Sequence, residues 1–324
     1  MEETAILDPE LASRARGVLI GLVAGNQLGA PTEQLETAEA IRAAFPSGLW
    51  NLSAPPKGSP YDDDAAMALL LAESLAEVGE FDATDVAGRW VKWMKLDGRG
   101  LGNTTRTALR LIERGVEPFA AGTQAREADH QRAAGNGSLK RCAPVAIRFH
   151  ENVDKLIRVS TQQAAITHAD ERCLWACAAL NLAIRELLYG NIYFVDEVLH
   201  RLANKAPRQL LEAMRRVLIE AQTDLPITVP GETGYVVHCV EIAFWFATHD
   251  RSLEDALIYL AQAGGKTGTN AAVTGALLGA RYGLSGVPPR WLDQLTGSPG
   301  IIRLADRLLT PRATRSSSSL TAER

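Results

Sequence analysis

The chain has 324 residues, of which 46% are hydrophobic, and its formal net charge is −4. This composition supports a sizeable buried core, and the middle of the sequence has no Pro-, Gly- or Ser-rich linker, which favours one large domain over two. The mild negative charge argues against nucleic acid or an anionic membrane as the main partner. No apolar run approaches the roughly 20 residues that span a bilayer. Because the first residues are acidic and lack a basic leader, we expect a cytoplasmic protein.

Helical periodicity dominates the pattern of apolar residues. Small or apolar residues at helical spacing define one helix face at Met67, Leu70, Leu71, Ser74, Leu75 and Val78. Segments 174–184 and 236–246 are predominantly apolar and are too long for ordinary strands. No alternating run of strand length is bounded by hairpin signals. The sequence therefore predicts an all-α fold.

The last third of the chain contains the most apolar helix. Segment 271–280 is small or apolar on every side, which predicts a helix buried in the middle of a bundle. Gly275 and Gly279 are four residues apart and would let a second helix approach closely. Segment 312–324 is polar and of low complexity, so we predict a disordered tail after a single domain over residues 1–311.

Four cysteines in a chain of this length do not form a disulfide framework. Cys173 and Cys177 lie four residues apart on a predicted helix, with His168 nearby, so the three side chains form a possible zinc site. Their neighbours are Leu, Trp and Ala, which favours a pair of buried structural cysteines instead.

Two acidic motifs are the first candidates for chemistry. A glycine-rich run from Gly17 contains Gly25-Asn-Gln-Leu-Gly and is followed by Glu33. The run Tyr61-Asp-Asp-Asp-Ala-Ala-Met-Ala-Leu places three carboxylates at the start of an amphipathic helix. Acids are favoured there for structural reasons alone, because the N-terminus of a helix is the positive end of its dipole. Alternatively, Asp62 and Asp63 point into a cleft and bind a hard cation, which prefers oxygen ligands.

Three further motifs suit an anionic or ribose-bearing ligand. Gly102-Asn-Thr precedes a helix and offers backbone N–H groups, although Asn and Thr also start ordinary helices. The run Gly135-Asn-Gly-Ser-Leu-Lys-Arg-Cys-Ala-Pro144 is a glycine turn that can bring main-chain donors close to phosphate. The run Gly264-Gly-Lys-Thr-Gly-Thr-Asn opens the small-residue helix at 271–280.

Together with Ile166-Thr-His-Ala-Asp and Gly234-Tyr-Val-Val-His, these segments resemble the motifs of the ADP-ribosylglycohydrolase family from residue 17 to about residue 292. The family motifs read Gly-Asp-Ala-Leu-Gly, Thr-Asp-Asp-Thr, Gly-Asn-Thr, Gly-Asn-Gly-Ser/Ala-Leu-Met-Arg and Gly-Gly-Asp-Thr-Asp-Thr. The resemblance implies a compact orthogonal multi-helix bundle. It also implies hydrolysis of the bond between the anomeric carbon of ADP-ribose and an acceptor, with two divalent cations that hold the ribose hydroxyls and activate water.

The resemblance also implies roles for individual residues. The implied catalytic residues are Glu33, Asp62 and Asp63, and the implied metal ligands are Asp62, Asp63 and Thr269. The implied ADP-ribose contacts are Gly102, Asn103, Asn136, Gly137, Ser138, His168, Tyr235, Gly265 and Lys266. Considered alone, His168 is more often a hydrogen-bonding residue at a helix start, and Tyr235 is as well explained by a place in the core.

This chain departs from the family motifs at the metal site. Lys266 and Gly268 stand where the family has two aspartates, and Tyr61 replaces a threonine of the metal shell. Asp62 to Asp64 contribute three negative charges and Lys266 one positive charge, so a charge of −2 remains and balances a single divalent ion. We therefore expect at most one Mg²⁺ or Mn²⁺, or none, with Lys266 paired to Asp62 or Asp63 in place of the other.

Three functions are compatible with these residues. The first is a glycohydrolase of altered metal use that releases ADP-ribose, or a related ribosyl group, from a protein or small molecule. The second is a catalytically impaired protein that binds ADP-ribose as a reader or regulator, which Lys266 and Gly268 favour. The third is a metal-independent enzyme acting on another nucleotide-like substrate. The retained carboxylates of Glu33, Asp62 and Asp63 favour the first.

Overall fold

In the computed structural model, residues 8–52, 61–129 and 134–310 are described. The predicted tail over 312–324 lies outside this range. The described residues form sixteen α-helices and four short 3-10 helices, which confirms the all-α prediction. Their extended pairing is limited to two isolated bridges, Thr37 with Gly264 and Gly135 with Tyr235.

The α-helices are, in chain order, α1 Pro9–Gly29, α2 Ala38–Ala44, α3 Asp63–Val78, α4 Ala83–Leu96, α5 Asn103–Glu113, α6 Pro118–Ala128, α7 Pro144–Arg148, α8 Val153–Ala165, α9 Glu171–Leu188, α10 Phe194–Leu202, α11 Arg208–Arg216, α12 Val236–Thr248, α13 Leu253–Ala261, α14 Thr267–Tyr282, α15 Pro289–Gln294 and α16 Ser298–Leu309. Side chains that accept backbone N–H bonds start many of them; Asp82 caps α4, Asn152 caps α8 and Ser252 caps α13. The helix α3 ends at Gly79, whose φ of 84° lies in the left-handed region that glycine adopts without strain.

Helices α1 and α14 form the centre of the molecule and pack backbone against backbone. A β-carbon on Gly21 would lie 2.1 Å from the carbonyl oxygen of Gly275, and one on Gly17 would lie 2.2 Å from that of Gly279. Since position 17 faces 279 and position 21 faces 275, the two helices are antiparallel. The predicted close approach at Gly275 and Gly279 is thus confirmed, and the partner is the glycine-rich helix α1.

The remaining helices enclose this pair. Helix α14 also packs against α9, α12 and α13, and α1 packs against α16, while α3 is covered by α7 and α16. The segment from Thr267 to Ala280 is buried, as the sequence predicts. Among the described residues, no helix is both long enough and apolar enough to cross a bilayer. Because α1 and α14 are antiparallel, the end of α1 lies beside the start of α14, and the acidic motifs meet at this end.

Candidate active site

Glu33 lies at the junction of α1 and α14. It follows the 3-10 turn Ala30–Thr32, and its carboxylate accepts a 2.6 Å hydrogen bond from the backbone N–H of Gly268 in the first turn of α14. A β-carbon at position 268 would lie 3.0 Å from Glu33 Oε2, so glycine leaves room for the carboxylate. Glu33 therefore completes the N-terminus of α14, where a helix dipole favours negative charge.

Asp62, Asp63 and Asp64, which we call the carboxylate cluster, begin α3. Asp62 is the N-cap and accepts from the N–H of Asp64, so the structural explanation of this acidic run holds. Each of the three offers a carboxylate oxygen within 4.8 Å of the others. Asp63 and Asp64 are buried, and Asp62 is half-buried. These are hard oxygen donors, and their spacing alone would admit a divalent cation.

Gly100 fits against the carboxylate cluster from the loop before α5. Its φ is 78°, and a β-carbon there would lie 2.2 Å from Asp63 Oδ1. The neighbouring carbonyl of Arg99 accepts a 3.1 Å hydrogen bond from the N–H of Asp63. A larger residue at position 100 would displace the Asp63 carboxylate. Gly100 is therefore needed for the carboxylate to take its place in the cluster.

Two lysines serve the site, and their pairing differs from the prediction. Lys140 Nζ lies 2.6 Å from Asp63 Oδ2 and also contacts Asp64 Oδ1. Lys266 Nζ lies 3.3 Å from Glu33 Oε1. The expected pairing of Lys266 with Asp62 or Asp63 is therefore wrong: Lys266 precedes α14 on the side where Glu33 approaches. The ammonium within the cluster belongs instead to Lys140, which replaces the methionine of the family motif.

Burial changes the proton affinity of the site carboxylates. The pKa of Asp62 is raised to about 8, first by burial and then by the charges of Asp64 and Asp63. Burial also raises the pKa of Glu33, with a further contribution from Asp64, while Lys266 opposes the rise. With a pKa of about 8, Asp62 retains a proton at neutral pH and so suits general acid chemistry, and the pKa of Glu33 is shifted in the same direction.

Arg141, next in the chain to Lys140, is fully buried. Its guanidinium carbon lies 3.9 Å from the centre of the Trp90 ring, and Nη2 donates to the carbonyl of Gln163 and to Thr167 Oγ1. The buried cation is thus stabilised by a π face and by hydrogen-bond acceptors rather than by a directly contacting carboxylate. This anchor fixes the backbone from which Lys140 extends. Neither Arg141 nor Trp90 was among the residues singled out in the sequence.

The Arg141 anchor also sets the protonation of His168. Thr167 Oγ1 accepts from Arg141 and lies 2.7 Å from His168 Nδ1, so the hydroxyl proton points to Nδ1. A neutral ring then carries its proton on Nε2. Burial, followed by the charges of Arg141 and Lys140, lowers the pKa of His168 to about 3. His168 is therefore neutral at physiological pH.

A neutral buried His168 predicts acid sensitivity of the fold. Its pKa is about 3 in the folded state and roughly 6.5 when unfolded, so its contribution is complete above the unfolded value and is lost as pH falls towards 3. Between pH 7 and pH 5, we expect wild type to lose about 2 kcal/mol more unfolding free energy than H168Q. Urea unfolding at both values measures this difference. The exposed His200 provides the control H200Q, and equal pH slopes for wild type and H168Q would contradict the prediction.

The predicted ligand-binding loops come together beside the carboxylates. The N–H of Asn136 donates to the carbonyl of Gly234 over 2.9 Å, and the Lys266 side chain passes over Gly234. A β-carbon on Gly137 would lie 2.7 Å from the His168 ring, so this glycine allows the turn to sit against the histidine. Gly102 and Asn103 are exposed at the start of α5, and Thr105 on the same helix reaches the Gly137 turn.

Three of the predicted ligand contacts have other partners. The N–H of Gly265 donates to the carbonyl of Glu36, so this donor is already used within the protein. Ser138 is fully buried, with its hydroxyl 3.6 Å from the Cys177 sulfur. Tyr235 is half-buried, and the Arg172 guanidinium lies 5.6 Å from the centre of its ring. The structure places Tyr235 at the margin of the loops, where one face of the ring is covered.

The possible zinc site at Cys173, Cys177 and His168 is not formed. In the described part of the chain, the group with metal-binding spacing is the carboxylate cluster. Both cysteines are buried, and the Cys173 thiol donates to the carbonyl of Gly135. Their structural interpretation is confirmed.

Two buried amides face the site with poorly satisfied donors: Asn26 lies beside the Asp62 carboxylate and Asn136 beside the Cys239 sulfur. Asn26 Nδ2 and Asn136 Nδ2 make no well-aligned hydrogen bond within the described residues. Asn26 stands close to Asp62 and Gly268, and Asn136 stands close to Gly234. Buried donors normally have acceptors, so these amides are suited to a ligand that brings oxygen atoms. In the sequence, Asn26 stands where the family motif Gly-Asp-Ala-Leu-Gly has its aspartate.

Comparison with known proteins identifies the family. A sequence model of the family described as ADP-ribosylglycohydrolase matches residues 7–318. The chain belongs to this family. It is 29% identical over 312 residues to ADP-ribosylarginine hydrolase Tri1 of Pseudomonas putida, covering 93% of this chain and 80% of that protein. It is 28% identical to the ADP-ribosyl-[dinitrogen reductase] glycohydrolase of Rhodospirillum rubrum, covering 89% of this chain and 92% of that protein.

More distant family members and a solved structure agree with this assignment. ADP-ribosylhydrolase ARH3 of Bos taurus is 26% identical, with coverage of 88% of this chain and 89% of that protein. A solved structure described as an ADP-ribosylglycohydrolase-related protein complex superposes with a TM-score of 0.75 at 29% identity, covering 93% of this chain and 99% of that chain. The resemblance seen in the sequence motifs is confirmed.

Proposed function

We propose that this chain hydrolyses the glycosidic bond between ADP-ribose, or a related ribosyl group, and a protein or small-molecule acceptor. The observation that carries the proposal is the meeting of Glu33 and the carboxylate cluster at one end of the α1–α14 pair, beside the amide donors of Asn26 and Asn136, which make no well-aligned hydrogen bond within the described residues. A ribose with a diphosphate supplies hydroxyl and oxyanion partners for these groups. The names of the relatives point to the same class of substrate.

Glu33 and Asp62 are the proposed proton carriers. Both have raised pKa values because of burial, and Glu33 is held in place by the N–H of Gly268. In glycoside hydrolysis, such a group protonates the leaving acceptor or removes a proton from the attacking water. Asp63 is proposed to orient the site through its ion pair with Lys140.

The proposed site holds at most one divalent ion. Lys140 is paired with Asp63 and Asp64, and Lys266 is paired with Glu33. When all four carboxylates of Glu33 and the cluster are ionised, the two ammonium groups leave a charge of −2, which one divalent ion balances, and a bound cation favours the ionised form of Asp62. The resemblance implies oxygens of Asp62, Asp63 and Thr269 as the ligands; among the described residues, Asp62 is the one of these two carboxylates that no lysine contacts. When bound, Mg²⁺ or Mn²⁺ supplies Lewis acidity and orients ribose hydroxyls.

From the composition of the sequence, we propose that the protein acts in the cytoplasm.

A second function is favoured by the same two lysines. Lys140 and Lys266 form ion pairs with carboxylates to which the resemblance assigns metal binding and acid–base chemistry. The site therefore also suits a protein that binds ADP-ribose without hydrolysing it. A repurposed metal-independent enzyme on a nucleotide-like substrate is consistent with the same pairing. These possibilities differ in their metal requirement and in product release.

Titration of ADP-ribose by calorimetry, in Mg²⁺ and then in EDTA, tests the proposal. We expect micromolar binding that weakens at least about ten-fold in EDTA, because the metal holds the ribose. A parallel assay of ADP-ribose release from ADP-ribosylarginine reads hydrolysis directly. Equal binding in EDTA without release would favour the reader. No binding under either condition would contradict both ADP-ribose functions.

A further inference from the structure

The Lys140 ammonium is buried among the carboxylates. Its side chain is 8% exposed, while those of Asp63 and Asp64 are 3% and 4% exposed. The Nζ atom contacts one oxygen of each carboxylate, at 2.6 Å for Asp63. A buried ion pair is stable when each charge keeps its partners, and removing one partner leaves an uncompensated charge. Lys140 is thus an integral part of the cluster.

The other oxygens of the two carboxylates are also constrained. Asp64 Oδ2 accepts a 2.9 Å hydrogen bond from Thr269. Asp63 Oδ1 faces Gly100 at a distance that would not admit a β-carbon. A divalent ion bridging Asp63 and Asp64 would share their oxygens with an ammonium, and like charges at such separations repel strongly. The arrangement therefore does not suit a metal on this pair of carboxylates.

The turn that carries Lys140 is fixed independently of the cluster. Arg141 is anchored on Trp90, Gln163 and Thr167, and the N–H of Lys140 donates to the carbonyl of Asn136 over 3.3 Å. Because the neighbouring Arg141 is held in place, the Lys140 side chain is directed to the carboxylates before any ligand binds. Preorganisation of this kind reduces the entropy lost in holding a flexible lysine in one geometry.

We infer that Lys140 is the resident cation of the carboxylate cluster: its ammonium holds Asp63 and Asp64 in place of a divalent ion, and leaves Asp62 as the carboxylate open to a metal. Lys140 is in this sense a positioning residue. The inference deepens the proposed function, because it concerns the cation requirement of the same site. Its test measures metal binding directly and does not require hydrolysis, so the two proposals fail separately.

The test counts bound Mn²⁺ by electron paramagnetic resonance and calorimetry, with MnCl₂ as the only ligand. We expect wild type to bind one equivalent at most. K140M carries the family's methionine and lacks the ammonium that repels a metal ion. We expect K140M to bind one more equivalent of Mn²⁺ than wild type does, with an affinity at this site at least about ten-fold higher than that of wild type. Mn²⁺ should then raise the melting temperature of K140M more than that of wild type, because only the folded state offers the site.

Matched variants distinguish the effect of the positive charge at position 140 from that of changing the side chain. K140R keeps the charge and should behave as wild type, and K140M/D63N lacks a carboxylate and should not gain the ion. K95M removes an exposed lysine paired with Glu113 and should leave Mn²⁺ binding unchanged. Two equivalents in wild type would overturn the inference even if K140M does not fold. Identical Mn²⁺ binding by folded K140M and wild type would overturn it as well.

Discussion

Alanine at position 275 is expected to destabilise the protein by at least about 3 kcal/mol. The added β-carbon would lie 2.1 Å from the carbonyl oxygen of Gly21, and this oxygen belongs to the backbone of a buried helix. The clash is with backbone, so no side-chain rotation can remove it. The two helices would have to move apart, and their packing would be lost along the whole contact between α1 and α14. Urea unfolding of G275A against wild type measures the loss.

Gly88 provides the matched control. It lies within α4, is exposed, and a β-carbon there would have open space around it. Because alanine is the better helix former, G88A should be neutral or more stable by up to about 1 kcal/mol. Similar losses in G275A and G88A would mean that glycine at position 275 is not needed for the contact between α1 and α14.

The largest expected effect on activity is that of Glu33→Gln. The amide keeps an oxygen that can accept from the N–H of Gly268, but it can neither release nor take up a proton. We therefore expect ADP-ribose release to slow by roughly 10²–10⁴-fold, the usual contribution of a positioned acid or base. Loss of the negative charge at the start of α14 should cost about 1 kcal/mol of stability. Steady-state release from ADP-ribosylarginine measures the rate.

Glu36, three residues further along the same loop, is exposed and supplies the control E36Q. Its backbone carbonyl holds Gly265, and this contact is unchanged by substitution of the side chain. E36Q should retain activity within about three-fold, in line with the small effect of most surface changes. If E33Q keeps wild-type activity, Glu33 is a helix-capping residue and the proton carrier lies elsewhere, with Asp62 the next to test.

Local sequence patterns were sufficient for the helices and for part of their packing. The spacing of apolar residues predicted the helix α3, and the small or apolar residues on every side of segment 271–280 predicted a buried helix. Gly275 and Gly279 predicted a close neighbour but not its identity, because any helix with small residues would fit. The spacing of Gly17, Gly21 and Gly25 in α1 matches that of α14, and this signal was available in the sequence.

The ion pairs of the site were less predictable, since they join segments far apart in the chain. Lys140 and Asp64 are separated by 76 positions, and no periodicity relates them. Lys266 sits in the motif that suggested metal replacement, yet the approach of Glu33 to the start of α14 gives it another partner. The motif therefore located the cation correctly within the site but assigned it to the wrong carboxylate.

Direct contact between the backbones of α1 and α14 also limits how the protein can move. Helices separated by side chains can slide as rotamers change, whereas here each carbonyl fills the space of a missing β-carbon. The next equivalent register is four residues away, a shift of about 6 Å. This packing resists sliding of Glu33 relative to Gly268, so we expect opening of the site to involve the loops that carry Gly100 and Gly234.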